Sequence, residues 1–437
     1  MAQNKKQTPL FHEVAAARSL RERFLADWHR PGYHFVTPED IGWPGDPNGI
    51  FYARGRYHMM YLYDNCTDSF RWGHLSSIDM IHWRSHPDML IPDEVDGGIF
   101  SGGAFVDENE TAWISYWALP RDGENFGGVR LAKSSDRHYD VWEKQPGYII
   151  RSDEYGVTRV IGPNGEETLV GSADPSNLWK CGEYCYIQTG NLPVLNKYRD
   201  NPDAPEKYRG DHAYLFRSKD MKSWEYCHEF YQRDIANCDT DPSEDNMCPC
   251  FLPLPSEKDG GALSDTYLEL FISHNKGCQY YLGDYDKEKQ FFTQKVHGRM
   301  SWVDNGFFAP EAVVTPDNRL VMWSWLLDEP ETDEDSKRGW SGVYGIPRQL
   351  WRSPDGTLGI APLKELERLR YAPTNKIEEL NEAVQSLNSD MLHLKLTVDM
   401  KDAYQFILRL YEDKTGRTNN KTILSYSTVT GELTLKL

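Results

Sequence analysis

Residues 43–49 read Trp-Pro-Gly-Asp-Pro-Asn-Gly, and residues 174–177 repeat the pattern as Asp-Pro-Ser-Asn. Each Asp-Pro pair precedes a short run of alternating aromatic and small residues, a polar turn and a second such run, which predicts a β-hairpin. Because proline cannot donate a backbone hydrogen bond to a sheet, an Asp-Pro pair fits the first residues of a strand. We therefore expect Asp46 and Asp174 to lie at strand ends, near an edge or axis of the fold.

The same hairpin pattern occurs three more times, beginning at Ser101, Cys248 and Ala309. The five starts are about 55 to 75 residues apart, which is longer than the commonest propeller repeat but suits a four-stranded blade with long loops. A Ser-x-Asp turn followed by Trp recurs at 77–83 and 218–224. Together these patterns predict an all-β protein whose main domain is a five-bladed β-propeller, with the first strands of its blades converging on a central channel.

The remaining segments predict a chain in three parts. Residues 1–32 form an N-terminal extension that contains a helix over Glu13–Trp28. Residues 33–372 form the propeller, and residues 373–437 form a short C-terminal β-rich segment, similar to part of a β-sandwich and apparently incomplete. So short a segment buries too little apolar surface to be stable alone, so we expect it to dock on the propeller or to begin a longer domain.

Composition limits the classes of partner. The 437 residues carry 48 basic and 67 acidic side chains, a formal net charge of −19, without a Lys/Arg cluster, so a surface for nucleic acid is not expected. The chain has no run of 18 apolar residues that would predict a membrane span. Residues 1–7 have no signal-peptide pattern, which predicts a cytoplasmic protein as given, or a secreted or periplasmic one if a signal was removed.

The eight cysteines are too scattered to predict a disulfide scaffold. Cys248 and Cys250 could join Cys238 in a metal site, but no matching His or Cys pair lies nearby in the sequence. Buried structural thiols are the favoured interpretation. We predict no metal and no organic cofactor.

An ordered series of motifs resembles glycoside hydrolase family 32, the β-fructosidases. The motifs similar to its signatures are Asp46-Pro47-Asn48-Gly49, Arg71-Trp72-Gly73-His74, Asp79-Met80-Ile81-His82-Trp83, Phe100-Ser101-Gly102, Asp174-Pro175, Cys248-Pro249, Phe307-Phe308-Ala309-Pro310 and Gly339-Trp340-Ser341-Gly342. The resemblance implies a glycosidase that cleaves β-fructofuranosides, or a related furanoside, by a retaining double displacement. The implied partner is a carbohydrate substrate, and the oligomeric state stays open.

Three positions depart from the family pattern. Gly45 stands where the family has Asn, Ala173 where it has Arg, and Met247 where it has the Glu proposed as acid/base. The first two changes leave the identity of the sugar open. The third leaves the proton donor open.

The resemblance makes Asp46 the nucleophile, and Asp174 the residue that hydrogen-bonds sugar hydroxyls and favours the oxocarbenium-like transition state. Glu311 and Asp245 are equally favoured candidates for the proton donor, and Glu244 is the third candidate. Glu311 starts a neighbouring inner strand, where burial would raise its pKa. Asp245 lies two residues before the position of the family Glu, on the same strand face.

Contacts to the sugar are expected from one group of residues, namely Trp43, Asn48, Trp72, Phe100 and Ser101. Two alternatives remain open. The first alternative to a retaining hydrolase is a non-catalytic carbohydrate-binding propeller. The second is an inverting or transglycosylating enzyme on the same scaffold. Inversion would require a carboxylate separation of about 6.5–9.5 Å, because a water must fit between the two groups.

Overall fold

The computed structural model describes most of the chain, with gaps. The described residues are 27, 30–36, 43–64, 69–121, 123, 125–198, 203, 205–208, 211–232, 244–274, 276–302, 304, 306–328, 341–370, 391–411 and 421–436. The chain divides into two compact units, Met1–Arg370 and Tyr371–Leu437. Except for Asp27, the helix predicted over Glu13–Trp28 lies outside the described residues.

Within the described residues, the first unit is all-β and contains five antiparallel sheets of four or more strands, here called sheets I to V. Sheet I consists of β1 (Trp43–Ala53), β2 (Arg56–Asp64), β3 (Phe70–Ser77) and β4 (Trp83–Leu90). Sheet II consists of β5 (Asp96–Ile99), β6 (Ala104–Val106), β7 (Ala112–Pro120), β8 (Gly128–Ser134), β9 (Glu143–Lys144) and β10 (Ile150–Arg151). A two-stranded sheet follows, β11 (Val157–Ile161) with β12 (Glu167–Gly171).

The other three sheets follow in chain order. Sheet III consists of β13 (Trp179–Cys181), β14 (Tyr184–Thr189), β15 (His212–Ser218) and β16 (Glu225–Gln232). Sheet IV consists of β17 (Met247–Glu257), β18 (Gly260–Ser273), β19 (Gly277–Asp286) and β20 (Phe291–Arg299). Sheet V consists of β21 (Phe307–Val314), β22 (Leu320–Leu326), β23 (Val343–Tyr344), β24 (Arg348–Arg352) and β25 (Leu358–Pro362).

All five predicted hairpins are present, as the pairs β1–β2, β6–β7, β13–β14, β17–β18 and β21–β22. The predicted Ser-x-Asp turns are also confirmed. The Ser77 hydroxyl accepts the backbone N–H of Asp79 and of Met80, and the Asp79 carboxylate accepts those of Ile81 and His82. Side-chain oxygens thus replace the sheet hydrogen bonds that the chain loses as it turns.

Five clusters of buried apolar side chains hold the sheets together, and each one includes side chains from a different pair of sheets I to V. The cluster of sheets IV and V also includes Trp117 of sheet II, and that of sheets II and III includes Val157 of β11. Four clusters join I with II, II with III, III with IV, and IV with V. The fifth contains Met59 and Tyr61 from sheet I together with Val321 and Trp323 from sheet V. The succession of sheets therefore closes on itself, and residues far apart in sequence become neighbours.

Polar side chains link the beginnings of these sheets. The Asn177 amide accepts the backbone N–H of Phe251 at 2.8 Å and donates to its carbonyl at 3.0 Å, which joins the segment before β13 to β17. Asn48 of β1 accepts the backbone N–H of Gly102 at 3.3 Å. These bonds set the positions of the segments that carry the predicted site residues.

Helical structure is sparse among the described residues. It consists of α1 (Leu192–Tyr198) and two short 3₁₀ segments, Glu206–Tyr208 and Lys364–Leu369. No helix in the described part of the chain has the length and apolarity to cross a membrane.

The second unit contains one antiparallel sheet of three strands in its described residues, β26 (Gln405–Leu410), β27 (Thr422–Ser427) and β28 (Leu433–Lys436). Leu408 is buried, whereas Ile407 and Leu433 are exposed.

Candidate active site

Asp46 lies near the start of β1, where the pairing with β2 is irregular between Pro44 and Pro47 and again between Asn48 and Phe51. Its carboxylate is buried, with 8% of the residue exposed. The Ser101 hydroxyl donates a hydrogen bond to Oδ2 of Asp46. A hydroxyl from the segment between β5 and β6 therefore holds the first predicted carboxylate.

Asp174 and Cys248 both have left-handed backbone conformations, with φ of 43° and 49°. Such values are uncommon outside glycine, and here they occur just before β13 and at the irregularity of β17 between Met247 and Cys250. The Cys248 backbone N–H lies 3.3 Å from Oδ2 of Asp174, and its thiol lies 3.5 Å from the same oxygen. That thiol also lies 3.4 Å from Oδ2 of Asp46. One cysteine thus contacts both carboxylates.

The two carboxylates affect each other's protonation. Burial and the negative charge of Asp46 raise the pKa of Asp174 to about 7. Burial also raises the pKa of Asp46, against hydrogen bonds from Ser101 and Cys248 and the charge of His274. The pair thus titrates as a unit, and one carboxylate can be ionised while the other keeps its proton near neutral pH.

His274, which was not among the predicted site residues, lies beside this pair. Its backbone N–H is 3.1 Å and its Nδ1 is 3.2 Å from Oδ2 of Asp245. Burial lowers the pKa of His274, but the hydrogen bond and charge of Asp245 and the charges of Asp174 and Asp46 outweigh burial and raise it. The site therefore contains an imidazole whose protonated form three carboxylates favour.

Asp245 and Glu244, two predicted proton donors, are both buried. Asp245 contacts His274 through Oδ2, while its Oδ1 has no hydrogen-bond partner among the described residues. Glu244 accepts a hydrogen bond from Gln279 at 2.6 Å and lies 3.4 Å from the charged group of Lys276. The structure therefore brings Asp245 to the site through His274 and places Glu244 in an ion pair.

Glu311, the other predicted donor, is buried on β21, where it pairs with Trp323 of β22. Burial raises the pKa of its carboxyl well above the usual value, against a hydrogen bond from the backbone N–H of Ile50. Its Oε1 has no hydrogen-bond partner among the described residues. Glu311 is thus suited to stay protonated. Its hydrogen bond comes from Ile50 of β1, two residues beyond Asn48.

Ala173 and Met247, which replace the Arg and Glu of the family pattern, belong to one buried apolar cluster. Both flank Gly190, whose backbone N–H donates to the carbonyl of Ala173 at 3.1 Å. A Cβ at position 190 would lie 2.6 Å from the sulfur of Met247. An apolar wall therefore stands where the family pattern has a cation and a carboxylate.

The predicted sugar-contact residues differ in accessibility. Asn48 is buried and its Nδ2 has no hydrogen-bond partner among the described residues, so a donor is available at the site. Trp43 and Phe100 are partly exposed. Trp72 has 0% of its surface exposed, and its indole N–H donates to the carbonyl of Phe100 at 3.1 Å. In this structure Trp72 supports the Phe100–Ser101 segment and offers no free face to a ligand.

One group of side chains in the described residues meets the spacing for a metal ion, His74 with His86 and Asp140. The rings of His74 and His86 are stacked, with centroids 4.1 Å apart, whereas a shared ion would have to lie in the plane of both. Both ring nitrogens of His86 already contact oxygens, those of Ser76 and Asp140. We interpret this group as a hydrogen-bonded histidine network.

Sequence reasoning missed four side chains around the pair, His274, Tyr155, Trp117 and Tyr344. Burial and the charge of Asp174 raise the pKa of Tyr155, and burial and the charge of Asp46 raise that of Tyr344. The Trp117 ring lies 5.2 Å from that of Phe100 and 5.3 Å from that of Tyr155. Of these four, only His274 could have been found from the sequence. It directly follows the second strand of the hairpin that begins at Met247, so it is expected near that position.

Comparison with known proteins adds family relationships. The family model described as Glycosyl hydrolases family 32 N-terminal domain matches residues 34–187 and 203–362. A beta-fructofuranosidase, insoluble isoenzyme CWINV1, of Arabidopsis thaliana is 26% identical over 381 residues, which cover 82% of this chain and 59% of that protein. Levanase of Bacillus subtilis (strain 168) is 27% identical over 390 residues, covering 83% and 51%. The chain thus spans between about half and three fifths of the length of these relatives.

Solved structures share the fold. Fructan 1-exohydrolase IIa from Cichorium intybus superposes with a TM-score of 0.62 at 23% identity, covering 79% of this chain and 62% of that one. The Bombyx mori GH32 beta-fructofuranosidase BmSUC1 gives a TM-score of 0.63 at 21% identity, with coverages of 97% and 84%. The Cichorium protein has also been solved in complex with 1-kestose, and the Bombyx protein with sucrose.

Proposed function

The chain belongs to glycoside hydrolase family 32, and from this premise we propose that it hydrolyses β-fructofuranosides, or a related furanoside, with retention of configuration. The observation that carries the proposal is the contact of the Cys248 thiol with Asp46 on one side and Asp174 on the other. Two buried carboxylates, one from β1 and one from the segment before β13, thus meet at one point, as attack at a single anomeric carbon requires.

Asp46 is the proposed nucleophile. Burial raises the pKa of its carboxyl, and hydrogen bonds from Ser101 and Cys248 and the charge of His274 oppose burial and favour the ionised form. In the first step its oxygen bonds to the anomeric carbon as the bond to the leaving oxygen breaks, and in the second step water displaces it.

Asp174 is the proposed ligand of sugar hydroxyls. Its pKa of about 7 means that near neutral pH it exists in both protonation states, so it can accept or donate a hydrogen bond. When it is ionised, its charge stabilises the oxocarbenium-like transition state. Trp43, Phe100 and the free amide donor of Asn48 are the proposed additional contacts.

We further infer that sheets I to V are the blades of a five-bladed β-propeller and that residues 33–372 are the catalytic domain. The closed succession of apolar clusters supports this arrangement. The three-stranded sheet of the second unit supports a separate β-rich segment over 373–437.

The proposed substrate class is a neutral sugar. The relatives named above are described as acting on fructosides, and two were solved with 1-kestose or sucrose. Gly45 and Ala173 remove an amide and a guanidinium relative to the family pattern, so the preferred fructoside is expected to differ from that of enzymes that keep both.

Hydrolysis by the wild type and by Asp46→Asn tests the proposal. We expect the wild type to release fructose from at least one of sucrose, 1-kestose, inulin and levan, and Asp46→Asn to lose this activity while it still binds the sugar. The anomer of the first product distinguishes retention from inversion.

A non-catalytic carbohydrate-binding protein is the second candidate, and the replacement of the family Glu by Met247 is the observation that favours it. It predicts that wild type and Asp46→Asn bind the sugar equally and that neither turns it over.

A further inference from the structure

The proposed reaction needs a group that protonates the leaving oxygen and later deprotonates water. Met247 cannot do either, because its thioether has no exchangeable proton. The Cys248 thiol is a poor choice, since burial and the charges of Asp46 and Asp174 raise its pKa well above the usual value. The donor therefore has to be sought among the other groups that adjoin the carboxylate pair.

His274 occupies the place next to the missing carboxyl. Strand β18 pairs antiparallel with β17, and the partner of Met247 is Ile272, two residues before His274. The His274 ring packs edge-on against Phe308, with centroids 5.7 Å apart. Its side chain is 44% exposed, whereas Asp245 beneath it is 1% exposed. A substrate can therefore reach this imidazole but cannot reach the carboxylate behind it.

The two ring nitrogens have different surroundings. Nδ1 faces Oδ2 of Asp245 at 3.2 Å, and Nε2 makes no hydrogen bond within the described residues. A carboxylate at Nδ1 fixes the orientation of the ring and keeps a proton on the nitrogen that it contacts. Nε2 is then free to exchange its own proton with a ligand.

The three charged groups with the largest effect on the pKa of His274 are acidic. Asp245 precedes β17, Asp46 lies in β1 and Asp174 precedes β13, and each of the three favours the imidazolium. The group that β21 presents to the ring, Phe308, is apolar.

We propose that His274 is the general acid and base of this site, and that Asp245 is a positioning residue for it. The proposal rests on the proposed function, because it needs Asp46 as the nucleophile. In the first step, Asp46 bonds to the anomeric carbon, the bond to the leaving oxygen breaks, and the Nε2 proton moves to that oxygen. In the second step, neutral Nε2 takes a proton from water, the water oxygen bonds to the anomeric carbon, and the ester to Asp46 breaks.

The other acidic groups suit this role less well. The Glu311 carboxyl is bound by the Ile50 backbone, and Glu244 is paired with Lys276. Asp174 accepts the Cys248 backbone N–H on Oδ2, and its proposed task is to hold sugar hydroxyls. Unlike these carboxyl groups, His274 combines partial exposure with a favourable electrostatic interaction with both Asp46 and Asp174.

Substrates with different leaving groups test the proposal. Sucrose needs a proton on its leaving oxygen, whereas the fluoride of β-fructofuranosyl fluoride leaves as an anion. We expect His274→Gln to lower kcat/KM for sucrose by about 100- to 10,000-fold. The same variant should lower kcat/KM for the fluoride by less than about 10-fold, because that leaving group needs no proton. Azide can replace water as the nucleophile of the second step and needs no deprotonation, so it should increase the turnover of the fluoride by His274→Gln.

The pH profile of Asp245→Asn distinguishes a positioning role of Asp245 from a purely structural one. Because Asp245 raises the pKa of His274, its removal should shift the alkaline limb of the kcat/KM profile to lower pH. His82→Gln is the matched control, since His82 also pairs with an aspartate, Asp79, at 2.9 Å, but its side chain is 70% exposed on the turn before β4.

The outcomes separate the two proposals. A wild type that hydrolyses none of sucrose, 1-kestose, inulin, levan and the fluoride overturns the proposed function and, with it, the role of His274. A wild type that is active on sucrose, with His274→Gln equally active or equally impaired on both substrates, overturns the role of His274 and leaves the proposed function standing.

Discussion

The thiol of Cys248 lies 3.4 Å from Oδ2 of Asp46, although the two residues are 202 positions apart in the chain. The same thiol has Oδ2 of Asp174 at 3.5 Å, and a thiol has only one proton to donate. Because its pKa is raised well above the usual value, the thiol stays protonated and donates to one carboxylate at a time. Cys248 therefore couples the two carboxylates, and its loss should be visible in their titration.

Replacement of Cys248 by Ala should move the acidic limb of the activity profile to higher pH. The thiol stabilises the ionised form of Asp46, so its removal raises the pKa of the nucleophile, and activity is lost earlier as the pH falls. We also expect kcat to fall by about 10-fold. Cys248→Ser keeps a donor at the same place and should retain the wild-type limb. If Ala and Ser give the same pH profile, this coupling is wrong.

The family Arg and Glu should be compatible with the site only as a pair. Met247→Glu alone places a carboxylate in an apolar cluster and should lower the free energy of unfolding by more than about 2 kcal/mol. Ala173→Arg alone should also destabilise, because it buries a cation. In the double variant we expect a favourable coupling of about 1–3 kcal/mol, measured by a double-mutant cycle in urea. Additive effects would mean that positions 173 and 247 do not interact.

Removal of the buried Arg130 should destabilise the fold more than removal of an exposed arginine. Arg130 pairs with Asp96, and their side chains are 7% and 0% exposed. Arg130→Ala leaves Asp96 buried with Lys144 and Tyr116 as its remaining partners, and should lower the free energy of unfolding by about 1.5–3 kcal/mol. The control is Arg159→Ala, which breaks an exposed pair with Glu167 and should cost less than about 1 kcal/mol. Equal shifts in urea midpoint for both variants would contradict this expectation.

The buried histidines of sheet I should make the fold sensitive to acid. Burial and neighbouring cationic groups lower the pKa of His58 to about 3, and burial and the same kind of neighbours lower that of His74. An unfolded histidine has a pKa of about 6.5, so below that pH the unfolded state binds more protons than the folded state. The stability that these neutral rings contribute is complete above that pH and is lost as the pH falls towards 3.

Urea midpoints at pH 7.5 and pH 5 test this dependence. His58→Phe should show a smaller fall between the two pH values than the wild type, and His82→Phe, at an exposed position, should behave like the wild type. Buried carboxyls such as Asp211, whose pKa burial raises to about 6, act in the opposite direction, so the comparison must be made between variants. An unchanged difference in His58→Phe would refute the assignment.

Much of the fold was predictable because its signals are local. The hairpins that begin near Asp46 and Ala309 follow from alternation of side chains along a few residues, and so does the Ser77–Asp79 turn. Trp72 illustrates where this reasoning fails. An aromatic residue in a family motif is equally suited to stack on a sugar or to pack, and only the surrounding sheets decide that its ring is fully buried.

The amino-acid sequence alone determined which strands form and which two carboxylates begin them, because strand pattern and the Asp-Pro start depend on residues close together in the chain. Only the tertiary structure decided that Asp46 and Asp174 meet at Cys248 and that Asp245 reaches them through His274. Those contacts depend on the left-handed backbone at Asp174 and Cys248 and on the closure of sheet V against sheet I. Neither leaves a periodic pattern that could be read from the chain.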